Sequence, residues 1–240
     1  MPDENQELDR IRRVYAARGT SQRHVGFTRA ICAERERVYG QILKQRFGDL
    51  ATIDIVELGC GEGGELQRLI ALGASPRKLI GIDLLEDRTV RARSQLPQGT
   101  TIICGDASNT SLPSGCCDVV FLSTVLSSVL DPSLRVAIAG EAWRIVRPGG
   151  GVLWYDFVIN NPRNPNVRGV PRDEVCRLFP AARPEFHRVT MAPPVARTIC
   201  HLSHHLYSPI NRILPFLRTH VVAWIPRGLD ARACVQRSGA

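Results

Sequence analysis

Glu57-Leu58-Gly59-Cys60-Gly61-Glu62-Gly63-Gly64 is the stretch on which the reading of this chain turns. A short apolar run, Ile53–Leu58, leads into it, and a helix-like stretch, Glu65–Leu72, leads out. Glycines at such a strand-to-helix turn let the chain reverse sharply and let a ligand approach the backbone. Gly59, Gly61 and Gly64 satisfy the G-x-G-x-x-G spacing of dinucleotide-binding turns. Spacing alone does not choose between that ligand and others.

The next two strand tips narrow the choice. Leu79–Asp83 is a second strand-like run ending on an acid, and Thr100–Cys104 is a third, followed by Gly105-Asp106-Ala107. A carboxylate at Asp83 suits the ribose hydroxyls of any adenosine-containing ligand, and one at Asp106 suits an adenine amino group. With Glu57 they place three acids near one glycine loop, which suits a cationic ligand and repels a pyrophosphate. Cys117–Ser123 and Gly151–Val158 read as further strands, and Glu86–Gln95 and Pro132–Val146 as helices. Strands alternating with helices predict parallel pairing through right-handed crossovers in an open α/β sheet. Two helices, over 3–18 and 27–47, precede it. Beyond 158 the pattern loosens into a loop (Asn160–Pro171), a short helix (Asp173–Leu178) and two strands (Glu185–Met191 and Thr219–Ile225). A proline-broken segment, Pro193–Pro215, separates those strands.

The 240 residues carry 31 basic and 23 acidic side chains, a net charge of +8. The charge is uneven: the nets over 1–50, 51–157 and 158–240 are +3, −3 and +8. The middle segment is acidic where the glycine loop lies, and the final third is basic. No run of about 18 apolar residues occurs, so no membrane-spanning helix is expected. The polar Met1–Arg13 lacks the apolar centre of an export signal. The eight cysteines show no Cys-x-x-Cys pair or zinc-like spacing, so free thiols in a cytoplasmic protein are expected.

Taken with Asp118–Leu122 and Arg147-Pro148-Gly149-Gly150, the motifs over residues 50–160 resemble the class I S-adenosylmethionine-dependent methyltransferases. The closer likeness is to the small-molecule group that includes quinone-biosynthesis enzymes. Trp154-Tyr155-Asp156-Phe157, Asn160–Pro165 and Val167-Arg168-Gly169-Val170 resemble a bacterial subgroup found beside polysaccharide and secondary-metabolite genes. The likeness implies a Rossmann-like sheet of seven strands, one reversed, with helices on both faces. It implies an N-terminal helical lid over residues 1–50 and a methyltransferase domain over 51–240, with acceptor-side elements in 158–240. It implies S-adenosylmethionine as cofactor, contacted by Glu57, Gly59, Cys60, Gly61, Gly63, Asp83, Leu84, Asp106, Ala107 and Ser123, with Tyr15 reaching in from the lid.

The acceptor is expected beyond the C-terminal strand ends. Ser127-Ser128 stands where many relatives carry His-His, which removes one candidate base. Asp156, at the end of the fifth strand, is a candidate base or orienting group, against the reading that it caps the following loop. Arg163, Arg168 and Arg172 are candidates for holding an anionic acceptor. The leading expectation is O-methylation of a small-molecule, sugar or natural-product acceptor, anionic or lipid-linked. N- or C-methylation and RNA methylation are the alternatives, although low aromatic content and the missing amine-methylation signature argue against a specific nucleic-acid partner. His201–Trp224 mixes large apolar side chains with arginines and carries a further alternative, peripheral membrane contact. His201, His204 and His205 sit at helical spacing, but without a nearby acid no metal site is expected.

Overall fold

A computed structural model describes residues 4–17, 25–161 and 164–229. Fifteen helices and strands follow in the order α1 (Glu4–Ala17), α2 (Val25–Phe47), β1 (Ile55–Leu58), α3 (Gly64–Ala71), β2 (Leu79–Asp83), α4 (Glu86–Gln95), β3 (Thr101–Cys104), β4 (Cys117–Ser123), α5 (Pro132–Ile145), β5 (Val146–Phe157), α6 (Arg172–Leu178), β6 (Glu185–Met191), α7 (Pro193–Leu202), α8 (Tyr207–Ile213) and β7 (Arg218–Pro226). The strands form one seven-stranded sheet in the order β3-β2-β1-β4-β5-β7-β6. The β1–β2, β2–β3, β1–β4 and β4–β5 pairs are parallel, while β7 runs antiparallel to both β5 and β6. One strand of seven is therefore reversed, as the sequence likeness implies.

Each strand alternates its side chains between two cores. On one face Val56, Leu58, Val152, Trp154 and Val221 pack with Leu134 and Ile138 of α5 and Val175 of α6, and Leu8 and Ile11 of α1 lie against them. On the other face Ile55, Val119, Leu153, Tyr155 and Val222 pack with Tyr39 and Leu43 of α2 and Leu66 and Leu69 of α3. α5 starts sharply because Asp131 accepts the amide protons of Ser133 (2.6 Å) and Leu134 (3.2 Å), with Pro132 opening the first turn. Glu7 of α1 in turn accepts from the Leu130 and Asp131 amides, and Arg10 donates to the Ser128 carbonyl at 2.7 Å. These bonds anchor α1 at the head of α5.

The fifth strand begins five residues earlier than the sequence pattern predicts. Val146 pairs with Cys117, then the register shifts before Val119 meets Gly151. Gly150 lies so close that an added Cβ would sit 2.2 Å from the Asp118 carbonyl oxygen, so Arg147–Gly150 reads as a turn although it stays on the sheet. The histidine trio also differs from expectation. α7 ends at Leu202, Ser203 is extended, and His204 and His205 belong to a separate turn, so no single helix face carries them. Among the described residues no cluster of three or more His, Cys, Asp or Glu is placed to hold a metal ion.

Candidate active site at the C-terminal edge of the sheet

Strand order reverses between β1 and β4, which opens a crevice at their C-terminal ends. The glycine loop lines it. Gly59, Gly61 and Gly63 all adopt left-handed backbone, with φ of 76°, 54° and 82°. A Cβ on Gly59 would meet Val125 Cγ2 at 2.5 Å, so glycine is also required by the close approach of the loop after β4. Gly61 faces more open space; the nearest atom to an added Cβ is the tip of Arg88, at 3.7 Å.

The Asp83 carboxylate fastens this loop to the tip of β2. It accepts the Gly61 amide proton at 2.7 Å and the Leu85 amide proton at 3.0 Å. Burial raises its pKa, and the two amides oppose that rise. Cys60 is committed to the fold: its amide donates to the Ile82 carbonyl at 3.0 Å and its thiol is buried in the α2-side core. Burial pushes that thiol up, away from thiolate chemistry. Leu84 lies half-buried beside Asp83. Asp106 caps its own turn by accepting from the Ser108 amide at 2.8 Å, and Ala107 packs on the α5-side core. Ser123 closes β4 half-buried, and the next residue, Thr124, is forced to φ 57°. Left-handed backbone in a β-branched residue is costly and concentrates at functional sites. It is a local signal that residue type alone conceals.

Glu57 points to what the crevice holds. It is fully buried, and its Oε2 has no hydrogen-bond partner among the described residues. Burial, with the Glu65 and Asp83 carboxylates nearby, raises its pKa well above the usual range. A buried orphan acceptor calls for a donor or a cation. The ammonium-bearing, sulfonium-bearing S-adenosylmethionine fits such acceptors, and a pyrophosphate does not. Tyr15 of α1 spans this region: its hydroxyl bonds to Ser128 Oγ after β4, and the Arg88 guanidinium of α4 stacks on its ring at 4.5 Å.

A polar cluster continues from the crevice on the α2 face of β5. Arg35 of α2 is paired with Glu65 of α3, and Tyr39 donates to the same carboxylate at 3.2 Å. The Arg35 guanidinium stands 4.5 Å above the Tyr155 ring. On that ring His220 of β7 stacks at 5.5 Å with an interplanar angle of 14°, and Phe157 meets His220 edge-on at 5.9 Å. His220 Nδ1 bonds the Thr219 hydroxyl at 3.1 Å. Burial and then the Arg35 charge lower the His220 pKa to about 4, so the imidazole is neutral near pH 7. The wall is completed by Thr190 of β6, also left-handed at φ 55°, whose hydroxyl bonds to that of Tyr155 at 3.4 Å. Sequence reasoning missed His220 and Arg35, because only the antiparallel pairing of β7 with β5 and the return of α2 bring them to Tyr155.

Asp156 lies elsewhere. Strand alternation turns it with Trp154 to the α5 face, where it is fully buried. Its oxygens accept the Ser127 amide (3.0 Å) and the Phe157 amide (3.0 Å), and burial raises its pKa to about 7. The carboxylate holds the loop after β4 and does not line the α2-side cluster. Arg168 lies on the same α5 side, paired at 3.0 Å with Glu174, which also takes the fully buried Arg135 at 2.6 Å. Arg172 covers the Phe186 ring at 5.1 Å. Arg163 falls outside the described residues.

Comparison with known proteins bears on the fold that carries these residues. Residues 55–150 match the family model described as a methyltransferase domain. An uncharacterized 37.1 kDa protein in transposon TN4556 of Streptomyces fradiae is 31% identical over 115 residues, 45% of this chain and 32% of that protein. The tRNA N(3)-cytidine methyltransferase METTL2B of Homo sapiens is 26% identical over 118 residues, 46% of this chain and 31% of that protein. The chain thus spans about a third of the length of these curated relatives. Among solved structures, the 1,6-didemethyltoxoflavin-N1-methyltransferase of Burkholderia thailandensis, crystallised with 1,6-didemethyltoxoflavin and S-adenosylhomocysteine, superposes with a TM-score of 0.67. That likeness covers 96% of this chain and 92% of the other at 15% identity. The chain has the α/β fold of the S-adenosylmethionine-dependent methyltransferases, and its residues 55–150 match the methyltransferase domain.

Proposed function

We propose that this protein is an S-adenosylmethionine-dependent methyltransferase acting on a small-molecule acceptor held against Tyr155, Phe157 and His220. The observation that carries the reading is the orphaned Glu57 carboxylate at the foot of a left-handed glycine loop. The bound cofactor supplies an electrophilic methyl group on a cationic sulfur, open to in-line displacement. Glu57 and the Gly59–Gly63 backbone would hold its charged amino-acid end, and Asp83 its ribose. Asp83 can do so because each carboxylate oxygen bonded to the loop retains a second lone pair.

The chain's remaining task is to align the acceptor and manage its proton. Phe157 and His220, both half-buried, present ring surface beside the buried Tyr155, and Arg35 sets a fixed positive charge against the Tyr155 ring. In the tautomer whose Nδ1–H donates to Thr219, His220 Nε2 carries the free lone pair and would take the acceptor's proton as it is methylated. A group in that role typically contributes about 10²–10⁴-fold. O-methylation makes the strongest demand on such a base, since a hydroxyl is a poor nucleophile until it loses its proton. The likeness to the polysaccharide and secondary-metabolite subgroup supports a sugar or natural-product hydroxyl. The RNA reading draws on the match to a tRNA methyltransferase and on the basic final third, but the enclosed aromatic cluster suits one small ring better than a strand.

Calorimetric titration of the full chain with S-adenosylhomocysteine and, separately, with NAD tests the cofactor assignment. Binding of the first alone is expected. Binding of NAD alone, or of neither, would overturn it. Transfer of a radiolabelled methyl group from S-adenosylmethionine to a panel of hydroxylated small molecules or to bulk tRNA then separates the two acceptor classes.

A further inference from the structure

Eight large apolar residues are strongly exposed among those described, and four of them fall within fifteen positions: Leu202 (78% exposed), Leu206 (44%), Ile213 (74%) and Phe216 (69%). They lie on α7, α8 and the short turns after each. The opposite sides of these helices are already satisfied: Ala196 and Tyr207 are buried with Met191 in a small core that Ile31 of α2 joins. A grouping of large exposed apolar side chains marks an interaction surface.

Charge selects the partner. Residues 186–229 contain five arginines and not one Asp or Glu. A carboxylate engaged inside this unit comes from α2, where Glu34 accepts from Tyr207 (2.8 Å) and Asn211 (2.6 Å). On the outer side Arg197 and Arg212 stand exposed among the apolar residues. Apolar side chains interleaved with arginine and free of acids suit an anionic lipid surface, where the chains enter the acyl boundary and the guanidinium groups meet the headgroups. No helix among those described is long and apolar enough to cross a membrane, so the contact is one of lying on the surface.

We propose that α7, α8 and their flanking turns form a docking face for anionic membrane. The face caps the edge of the sheet that carries Tyr155 and His220, since Tyr207 accepts the Met191 amide at the end of β6. Docking there brings the acceptor cluster to the bilayer surface, the position suited to an acceptor carried on lipid. Membrane attachment itself does not rest on the methyl-transfer reading.

The test is flotation of the full chain with vesicles of phosphatidylcholine alone and of phosphatidylcholine mixed with phosphatidylglycerol. Flotation with the mixed vesicles only is expected. Arg197→Ala and Arg212→Ala should each weaken it by about five-fold. Ile213→Ser with Phe216→Ser should weaken it by at least about tenfold, while Val90→Ser, an exposed apolar site away from the patch on α4, should leave it unchanged. No flotation, or equal flotation on neutral vesicles, overturns the proposal. So does a dimer that the Phe216→Ser change disperses, or binding of bulk tRNA that the patch variants abolish while flotation persists. Affinity for S-adenosylhomocysteine, measured on the same variants, should not move. Loss of it in the unaltered protein would count against the cofactor site and not against the membrane face.

Discussion

Tyr155 and Asp156 are neighbours in one strand and serve opposite faces of the same sheet. On the α5 face the charged network is largely paired: Asp156 is held by two backbone amides, and Arg135, Arg168 and Glu174 satisfy one another, although Trp154 Nε1 and one oxygen of Asp131 have no partner among the described residues. On the α2 face Glu57 has an orphan oxygen, Arg35 has an unpartnered Nε, Thr124 and Thr190 are strained, and His220 is held neutral. The two faces contain similar residue types. What separates them is that the α5-side carboxylates each hold a partner, while Glu57 on the other face is a buried carboxyl with an oxygen left for something to complete. A stable fold finishes its structural networks, and a binding site keeps some unfinished.

Breaking the closed face should cost the most stability and leave ligand binding alone. Arg135→Ala strands the Val129 carbonyl, which accepts from Arg135 Nε at 2.7 Å, and leaves Glu174 with only the partly exposed Arg168. Loss of a buried pair of this kind costs about 3–5 kcal/mol. Chemical denaturation should show that loss, with S-adenosylhomocysteine affinity unchanged wherever the protein remains folded.

Breaking the open face should do the reverse. Glu57→Gln keeps the side chain's shape and removes the buried carboxyl whose Oε2 has no partner among the described residues. Cofactor affinity should fall by about 10- to 100-fold, the worth of one charged hydrogen bond, while stability holds or rises. A stability loss as large as that of Arg135→Ala would show that Glu57 is structural and erase the distinction.

A smaller effect separates the faces by the sign of their pH dependence. His220 titrates at about 4 in the fold against 6.5 for a free imidazole. Above pH 6.5 it is neutral in both states. As pH falls toward 4 the unfolded chain gains a proton that the folded chain refuses, so stability falls. Asp156 titrates at about 7 against 3.8. Between those values the folded chain keeps a proton that the unfolded chain has released, so stability falls as pH rises. The two slopes oppose each other in the unaltered protein. His220→Asn should expose the decline with rising pH, and Asp156→Asn the decline with falling pH, each with a slope of at most about 1.4 kcal/mol per pH unit. Denaturant melts from pH 4 to 7.5 would read both. Parallel curves for the two variants would mean that neither group is held as described.

Much of the fold is legible in the sequence. The glycine loop, the acids at 57 and 83 and the alternation of strand and helix carry local signals, and each lands where its spacing predicts. The acceptor side was harder to read because its geometry is non-local. Asp156 attracted attention as a carboxylate at a strand end, yet the two-residue period turns it away and presents Tyr155 instead. His220 is 65 positions from Tyr155 in sequence and becomes its stacking partner only because β7 runs backwards beside β5. Arg168 looked like a free cation in a basic loop. Glu174, six residues on, pairs with it once α6 folds.

A co-crystal structure with S-adenosylhomocysteine tests the central claim most directly. The account predicts the ligand in the crevice between β1 and β4, with its ammonium on Glu57, its ribose at Asp83, and its sulfur directed toward the Tyr155–His220 cluster. Ligand seated against Asp156 and Arg168 on the α5 face, or a crevice in which Glu57 stays unpartnered with ligand bound, would contradict it.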